Sequence, residues 1–266
     1  MTTSCLANQE QDHAMTEDSR IALVTGANQG IGLQIATDLA AKGLTVLLAA
    51  RNLDRGTAAA QTVAGDVHPL QLDVTDPASI RAAVAQVEQQ FGRLDILINN
   101  AAISRANGQE SETMQDYIQR SRATLISVDE VRAIWETNVF GVLAVTQAFV
   151  PLLRTSTGAR IVNISSGLGS LTVNATPHPY RATFNPGYGA SKTALNAITL
   201  AFAIDLEAEG IAVNAVTPGF TSTALNNYEG TETVQQGAAE AVRVALLGSD
   251  GPTGTFTASV NETHPW

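Results

Sequence analysis

From Ile21 onward, short apolar runs alternate with longer stretches in which apolar residues recur every three or four positions. Unbroken apolar runs suit strands buried on both faces, and the longer period suits helices laid against them. The pattern therefore predicts a doubly wound α/β domain, a central parallel sheet with helices on both sides. Strands are expected at Ile21–Thr25, Thr45–Ala50, Val67–Leu72, Leu94–Ile98, Arg160–Ile164 and Ile211–Val216, with Phe256 in a seventh. The first helix should run from Gly30 to Lys42, with Ile31, Ile35 and Leu39 on one stripe and Gly43 as its glycine stop. Pro77 should open another that reaches about Phe91 and turns Ile80, Val84 and Val87 inward. Further helices are expected from about Val128 past Phe149, over Tyr188–Glu209, and over roughly Thr233–Leu247.

Composition narrows the class. The 266 residues are 44% hydrophobic and 15% charged, enough apolar surface for a buried core. No linker or composition break divides the chain after Ser19, so residues 20–266 are read as one domain. Met1–Ser19 is polar and reads as a flexible tail without the apolar core of a secretory signal; either it is a true extension or translation begins at Met15. No run of 18 apolar residues is present to span a membrane. A net charge of −10 argues against nucleic acid or an anionic membrane as the main partner. The single cysteine, Cys5, cannot form an intrachain disulfide, which suits a reducing cytoplasm. His13, His68, His178 and His264 are scattered without ligand spacing, so no metal site is expected.

Two local patterns carry chemistry. Gly26, Gly30 and Gly32 fall between a strand and a helix, where a pyrophosphate needs close backbone approach and the helix N-terminus favours negative charge. Tyr188 and Lys192 stand at i and i+4, on one helix face. A phenol is a poor acid at neutral pH, and a fixed positive charge beside it is expected to bring its pKa down.

The segments Thr25-Gly26-x-x-x-Gly30-Ile31-Gly32, Asn99-Asn100-Ala101-Ala102, Ile164-Ser165-Ser166, Tyr188-x-x-x-Lys192 and Pro218-Gly219 occur in the order found in short-chain dehydrogenases/reductases. The resemblance runs from about Ile21 to the C-terminus. It implies a Rossmann fold, a nicotinamide cofactor and reversible hydride transfer between a carbonyl and an alcohol. Arg51-Asn52-Leu53-Asp54-Arg55-Gly56, Leu72-Asp73-Val74 and Gly254-Thr255-Phe256 make the chain most similar to the NADPH-dependent carbonyl reductases of that family.

On this resemblance Tyr188 is the proton donor, Lys192 tunes it and binds the nicotinamide ribose, and Ser166, the second serine of its pair, holds the carbonyl oxygen. Asn138 resembles the family's helix-kinking asparagine that anchors a proton-relay water. Gly26, Asn28, Gln29, Gly30, Ile31 and Gly32 should cradle the cofactor, with Asp73 and Val74 at the adenine. Asn100 and Ala101 belong beside the ribose, and Pro218, Gly219 and Thr221 around the nicotinamide amide. Ala102 stands where the family most often has glycine. The second strand ends Ala49-Ala50 with no acid, and Arg51, Asn52 and Arg55 follow, so a 2′-phosphate and hence NADPH is expected.

Two stretches exceed the family's usual spacing: the polar segment Ser104–Ser127, and the residues between Ser166 and Tyr188, which include Pro177, His178, Pro179, Tyr180, Phe184 and Pro186. His178 and Tyr180 either touch substrate or belong to a solvated, proline-stiffened loop. The segment after Gly219 is short (Phe220–Glu232). The insertion before Tyr188 is expected to cover the helix surface through which relatives associate, favouring a monomer. Reduction of a small ketone or aldehyde is the leading reading. Oxidative alcohol dehydrogenation, reduction of a carrier-bound 3-oxoacyl thioester and a non-catalytic nucleotide sensor are the alternatives. The thioester branch is weakened because no Val-Asp-Gly-Gly segment follows Gly254.

Overall fold

The computed structural model describes residues 19–106, 113–259 and 262–266. Residues 1–18, which include Cys5, His13 and Met15, lie outside the described residues, as do residues 107–112 of the first insertion. Ser19, read from sequence as tail, is anchored: its hydroxyl donates to Gly43 O at 2.8 Å and accepts from Thr45 N at 3.2 Å.

The chain runs β1 (Ile21–Val24), α1 (Gly30–Ala41), β2 (Thr45–Ala50), α2 (Leu53–Ala60), β3 (Val67–Gln71), α3 (Pro77–Phe91) and β4 (Ile96–Asn99). It continues through α4 (Met114–Arg120), α5 (Val128–Trp135), a π-helical turn (Glu136–Gly141), α6 (Val142–Leu153), β5 (Arg160–Ile164) and α7 (Leu171–Ala175). α8 (Tyr188–Leu206), β6 (Ala212–Val216), α9 (Val234–Ala245), β7 (Phe256–Ala258) and β8 (Glu262–Thr263) complete it. Among the described residues the strands form one sheet in the order β3-β2-β1-β4-β5-β6-β7-β8. The first seven are parallel, as the apolar runs predict, and the short β8 adds an antiparallel edge.

Both faces of the sheet are apolar, and successive residues of a strand serve different layers. Ile96 and Ile98 of β4 join Ile35 and Leu39 of α1 and Ala241 and Ala245 of α9. Leu97, between them, joins Ile80 of α3, Phe149 of α6 and Leu206 of α8. The helix Val128–Leu153 is long and apolar enough to cross a membrane by composition alone, but over half of it is buried within the fold. The second insertion packs on the first turn of α8, where Phe184 lies against Gly189. It leaves Leu200 and Ile204 of the same helix exposed, so its cover is limited to the start of that surface.

A polar ladder crosses the buried layer. Asn99 Nδ2 of β4 donates to Asn163 Oδ1 of β5 at 2.8 Å and to Thr146 of α6 at 3.1 Å, and Asn163 Nδ2 donates to Thr199 of α8 at 2.8 Å. Asn99 and Asn163 are register partners, so the bond fixes the two strand ends that carry the site. Replacing Asn163 by alanine removes one acceptor and one donor from this ladder. The expected loss is about 2 kcal/mol, seen as a melting temperature lower by roughly 4–8 °C. An unchanged melting temperature would show that the ladder does not hold the strands.

Candidate active site

A cavity of about 680 Å³ opens beyond the carboxyl ends of the strands. It reaches from Arg51, after β2, to Ile164 and Pro218, at the ends of β5 and β6. Those ends are four strand spacings apart, about 19 Å, a length that suits an extended dinucleotide.

The glycine loop forms its floor. Gly26 has φ +62°, and a Cβ there would lie 2.9 Å from Ala101 Cα. A Cβ on Gly32 would lie 2.4 Å from the Asn100 amide nitrogen, so only glycine lets the loop sit this close to β4. Thr25 Oγ1 accepts from the backbone nitrogens of Asn100 and Ala101 at 2.9 and 3.0 Å. Asn100 Nδ2 returns bonds to Thr25 O and Gly26 O at 2.9 and 3.1 Å. The Asn100 amide is therefore committed to holding the loop, although the residue also borders the cavity. No side chain caps the N-terminus of α1, which leaves its amides facing the cleft for an anion.

At one end Arg51, Asn52 and Arg55 line the cavity, and all three are exposed. Asn52 Oδ1 caps α2 by accepting from Arg55 N at 2.9 Å. Asp73 and Val74 also line the cavity. Asp73 Oδ1 accepts from Thr75 N and Thr75 Oγ1 at 2.9 and 2.7 Å, so the carboxylate stiffens its own turn as well as facing the cleft.

At the other end Tyr188 and Lys192 line the cavity together. Lys192 Nζ donates to Ile164 O at 2.7 Å and stands 5.7 Å from the centre of the Tyr188 ring. Burial pulls the ammonium down to about 7. Burial also pushes the Tyr188 phenol up to about 12, against a hydrogen bond with Ser166 that acts to lower it. The phenol is thus raised and not lowered, contrary to the expectation from Lys192: desolvation is the largest cause, and what opposes it is Ser166 and not the ammonium. The two serines have separate commitments. Ser165 Oγ donates to Asn196 Oδ1 at 2.6 Å, whereas the Ser166 hydroxyl meets Tyr188 and accepts from Leu168 N at 3.2 Å.

Four residues expected at the site do not line this cavity. Ser166 reaches it through Tyr188. Gly219 is backed by the Glu232 carboxylate, and Thr221 turns its hydroxyl to Pro218 O at 2.8 Å and packs beneath Gly237 of α9. Asn138 is fully buried within the π-helical turn. Its Oδ1 accepts from Ile103 N at 2.9 Å, and its Nδ2 donates to Ile103 O at 2.9 Å and Ser191 Oγ at 3.0 Å. It thus ties the loop after β4 to α8, a structural duty that its place mid-helix did not disclose.

Sequence reasoning missed the roof. Ser222, Thr223, Leu225 and Tyr228 line the cavity from the segment after Gly219, and Ser104 and Arg105 line it from the first insertion. The two segments join: Ser104 Oγ donates to Leu225 O at 2.8 Å, and Arg105 bonds the Asn227 side-chain oxygen. The Tyr117 hydroxyl of α4 donates to Ser104 O. Also missed was Asn185, whose Oδ1 accepts from Tyr188 N at 2.9 Å and so fixes the start of α8.

A doubly wound sheet, a glycine-floored cleft at its switch point and a tyrosine–lysine pair at one end together define a dinucleotide-dependent oxidoreductase. The chain belongs to the short-chain dehydrogenase family, whose model, described as short chain dehydrogenase, matches residues 20–234. It is 38% identical to the short-chain dehydrogenase anuI of Penicillium roqueforti over 239 residues, covering 86% of this chain and 89% of that one. The solved structure of salutaridine reductase from Papaver somniferum superposes with a TM-score of 0.74 at 29% identity, covering 89% of this chain and 99% of that one. A gluconate 5-dehydrogenase from Burkholderia cenocepacia, solved with NADP and tartrate, gives 0.75 at 26% identity, covering 91% and 93%.

Asn138→Ala removes the three bonds to Ile103 and Ser191. Activity is expected to fall about tenfold or more together with the melting temperature, because the loop after β4 is released. An activity loss with an unchanged melting temperature would instead assign Asn138 to proton relay alone.

Proposed function

We propose that this protein reduces the carbonyl of a small ketone or aldehyde with NADPH, with Tyr188 as proton donor. The observation that carries this reading is the placement of the Tyr188 phenol beside the buried Lys192, 5.7 Å from its ring centre, at one end of a cleft whose other end carries Arg51 and Arg55. The salutaridine reductase and NADP-bound gluconate 5-dehydrogenase similarities support the same chemistry.

The residues present fit a dinucleotide: side chains are excluded at Gly26 and Gly32, the α1 N-terminus faces the cleft, and Arg51 and Arg55 border it. When bound, a reduced nicotinamide supplies the hydride that reaches the carbonyl carbon. Ser166 donates a hydrogen bond to the carbonyl oxygen and stabilises the charge growing there. Tyr188 gives that oxygen its phenolic proton, completing the alcohol. Lys192, as a cation beside the ring, stabilises the phenolate left behind. Proton return from water through the site resets the phenol.

The pH dependence follows from these groups. The phenol, near 12, remains protonated across the neutral range, while the ammonium, near 7, is charged below that value and lost above it. Reduction is therefore expected to weaken by about tenfold per pH unit above neutrality. Cofactor-oxidation rates across a carbonyl panel between pH 5.5 and 9 provide the measurement. A profile flat to pH 9 contradicts the role given to Lys192.

Cofactor preference rests on the β2 end. Ala50 is 1% exposed and packs against Gly56, so an acid introduced there would be buried in the β2–α2 contact. Position 51 is exposed and borders the cavity, which makes it the place for the exchange. Wild-type protein is expected to prefer NADPH over NADH. Arg51→Asp should reverse the preference, since it removes an attraction for the 2′-phosphate and adds a repulsion. Equal or better kcat/KM with NADH in the unmodified protein refutes this.

A further inference from the structure

Ser166 and the Tyr188–Lys192 pair come from different elements, the end of β5 and the start of α8, so their spacing is set where those elements are tied together. Lys192 binds Ile164 O at the last residue of β5, but Ser166 lies two residues further on, past the strand. From Ser165 the chain leaves the sheet and enters a short 3₁₀ turn, Gly167–Gly169, which Ser166 caps by accepting from Leu168 N. One side of this segment is held by the end of β6. Ser165 N donates to Val216 O at 2.8 Å, and Gly167 N donates to Thr217 Oγ1 at 3.0 Å.

The other side is held by Asn196 of α8. Ser165 Oγ donates to Asn196 Oδ1 at 2.6 Å, and Asn196 Nδ2 donates to Gly169 O at 3.2 Å. One amide thus grips both ends of the segment Ser165–Gly169, with Ser166 inside it. Chemistry fixes which way the amide points: a carbonyl can only accept, so the nitrogen faces Gly169 O and the oxygen takes the Ser165 hydroxyl. The approach is close, since a Cβ on Gly169 would lie 2.9 Å from Lys192 O and 3.0 Å from Asn196 Nδ2. Asn196 and Ser165 are both buried. Asparagine is a poor helix former, and a buried amide without partners carries a desolvation penalty. Its place within α8 is therefore explained by what it holds and not by the helix. Tyr188, Lys192 and Asn196 follow at intervals of four residues and share one face of α8.

We propose that Asn196 is a positioning residue for the reduction: it sets how far the Ser166 hydroxyl stands from Tyr188, so that both reach one carbonyl oxygen. The inference rests on the reductase reading above and on the part that Ser166 plays in it. Asn196 does not line the cavity, and it acts through Ser166. The β6 contacts hold the segment to the sheet, and the Asn196 amide holds it to the helix that carries the proton donor. Both halves of the amide are needed. An aspartate would still accept from Ser165 but would set a second acceptor against Gly169 O.

The test is a double-mutant cycle on the full-length protein, with kcat measured on a ketone and NADPH for Ser166→Ala, Asn196→Ala and the two together. Ser166→Ala is expected to lower kcat by about a hundredfold and Asn196→Ala by about tenfold, each with NADPH affinity within about threefold of wild type. The double variant is expected to match Ser166→Ala within about twofold, because a serine that is absent cannot be misplaced. A further drop of about tenfold in the double variant is what general damage to the fold produces, and it overturns the proposal. So does a loss of NADPH affinity in step with kcat, or full activity in either single variant. Should Asn196→Ala fail to fold, Ser165→Ala removes one of the two bonds and is expected to lower kcat by about threefold, again only while Ser166 is present. No loss, or the same loss without Ser166, overturns the proposal and leaves the reductase reading intact. Failure of the unmodified protein to oxidise NADPH with any carbonyl of a panel overturns that reading and this proposal with it.

Discussion

The group on which the site depends is the buried ammonium of Lys192. A cation that is 2% exposed carries a desolvation penalty of several kcal/mol, and no carboxylate among the described residues pairs with it. Its hydrogen bond goes to Ile164 O, the last carbonyl of β5. That bond fixes α8 against the end of the strand, and with it the position of Tyr188 one turn earlier. A charge kept in such a place weakens the fold and prepares chemistry, which is why strongly shifted titratable groups concentrate at functional sites. Here the same dryness lowers the ammonium and raises the phenol, leaving a neutral acid beside a cation that is readily lost.

The rest of the fold supplies walls for this pair. The Asn99–Asn163–Thr199 ladder aligns β4, β5 and α8, and the Thr25–Asn100 exchange of hydrogen bonds brings the glycine loop against β4. Asn138 then links the loop after β4 back to α8 through Ile103 and Ser191. Each connection is a buried polar contact whose loss strands a partner, so the parts of the cleft are mutually constrained. Arg51 and Arg55, after β2, and the Tyr188–Lys192 pair, tied to the end of β5, are thereby held at opposite ends of one cleft.

Much of this was legible in the chain. Elements whose faces are built from large apolar residues, such as the stripe Ile31, Ile35 and Leu39 or the run Arg160–Ile164, left clear periodic signals, and Pro77 and Gly43 marked boundaries through their own backbone limits. α2 was missed because it buries only Gly56, Ala59 and Ala60, which leave no hydrophobic period. α4 was missed because it lies in a polar stretch and is announced mainly by the Thr113–Asp116 capping box. The π-helical turn at Asn138 was foreshadowed only by the family's helix-kinking asparagine, and its bonds to Ile103 join positions 35 residues apart that leave no local period. Glycine and tyrosine–lysine spacing located the cleft, but the roof contacts of Ser104 and Arg105 with Leu225 and Asn227 join positions more than a hundred residues apart and have no spacing to read.

The central claim is that Tyr188 supplies the proton while the rest of the cleft holds the cofactor. Tyr188→Phe keeps the ring, the packing beside Lys192 and the glycine floor, and removes only the hydroxyl. Parallel measurement of NADPH affinity by fluorescence titration and of turnover on a reducible ketone isolates that one group. Affinity within about threefold of wild type, with turnover lowered by about a thousandfold or more, is the result the account predicts. Turnover close to wild type with the affinity intact would contradict it.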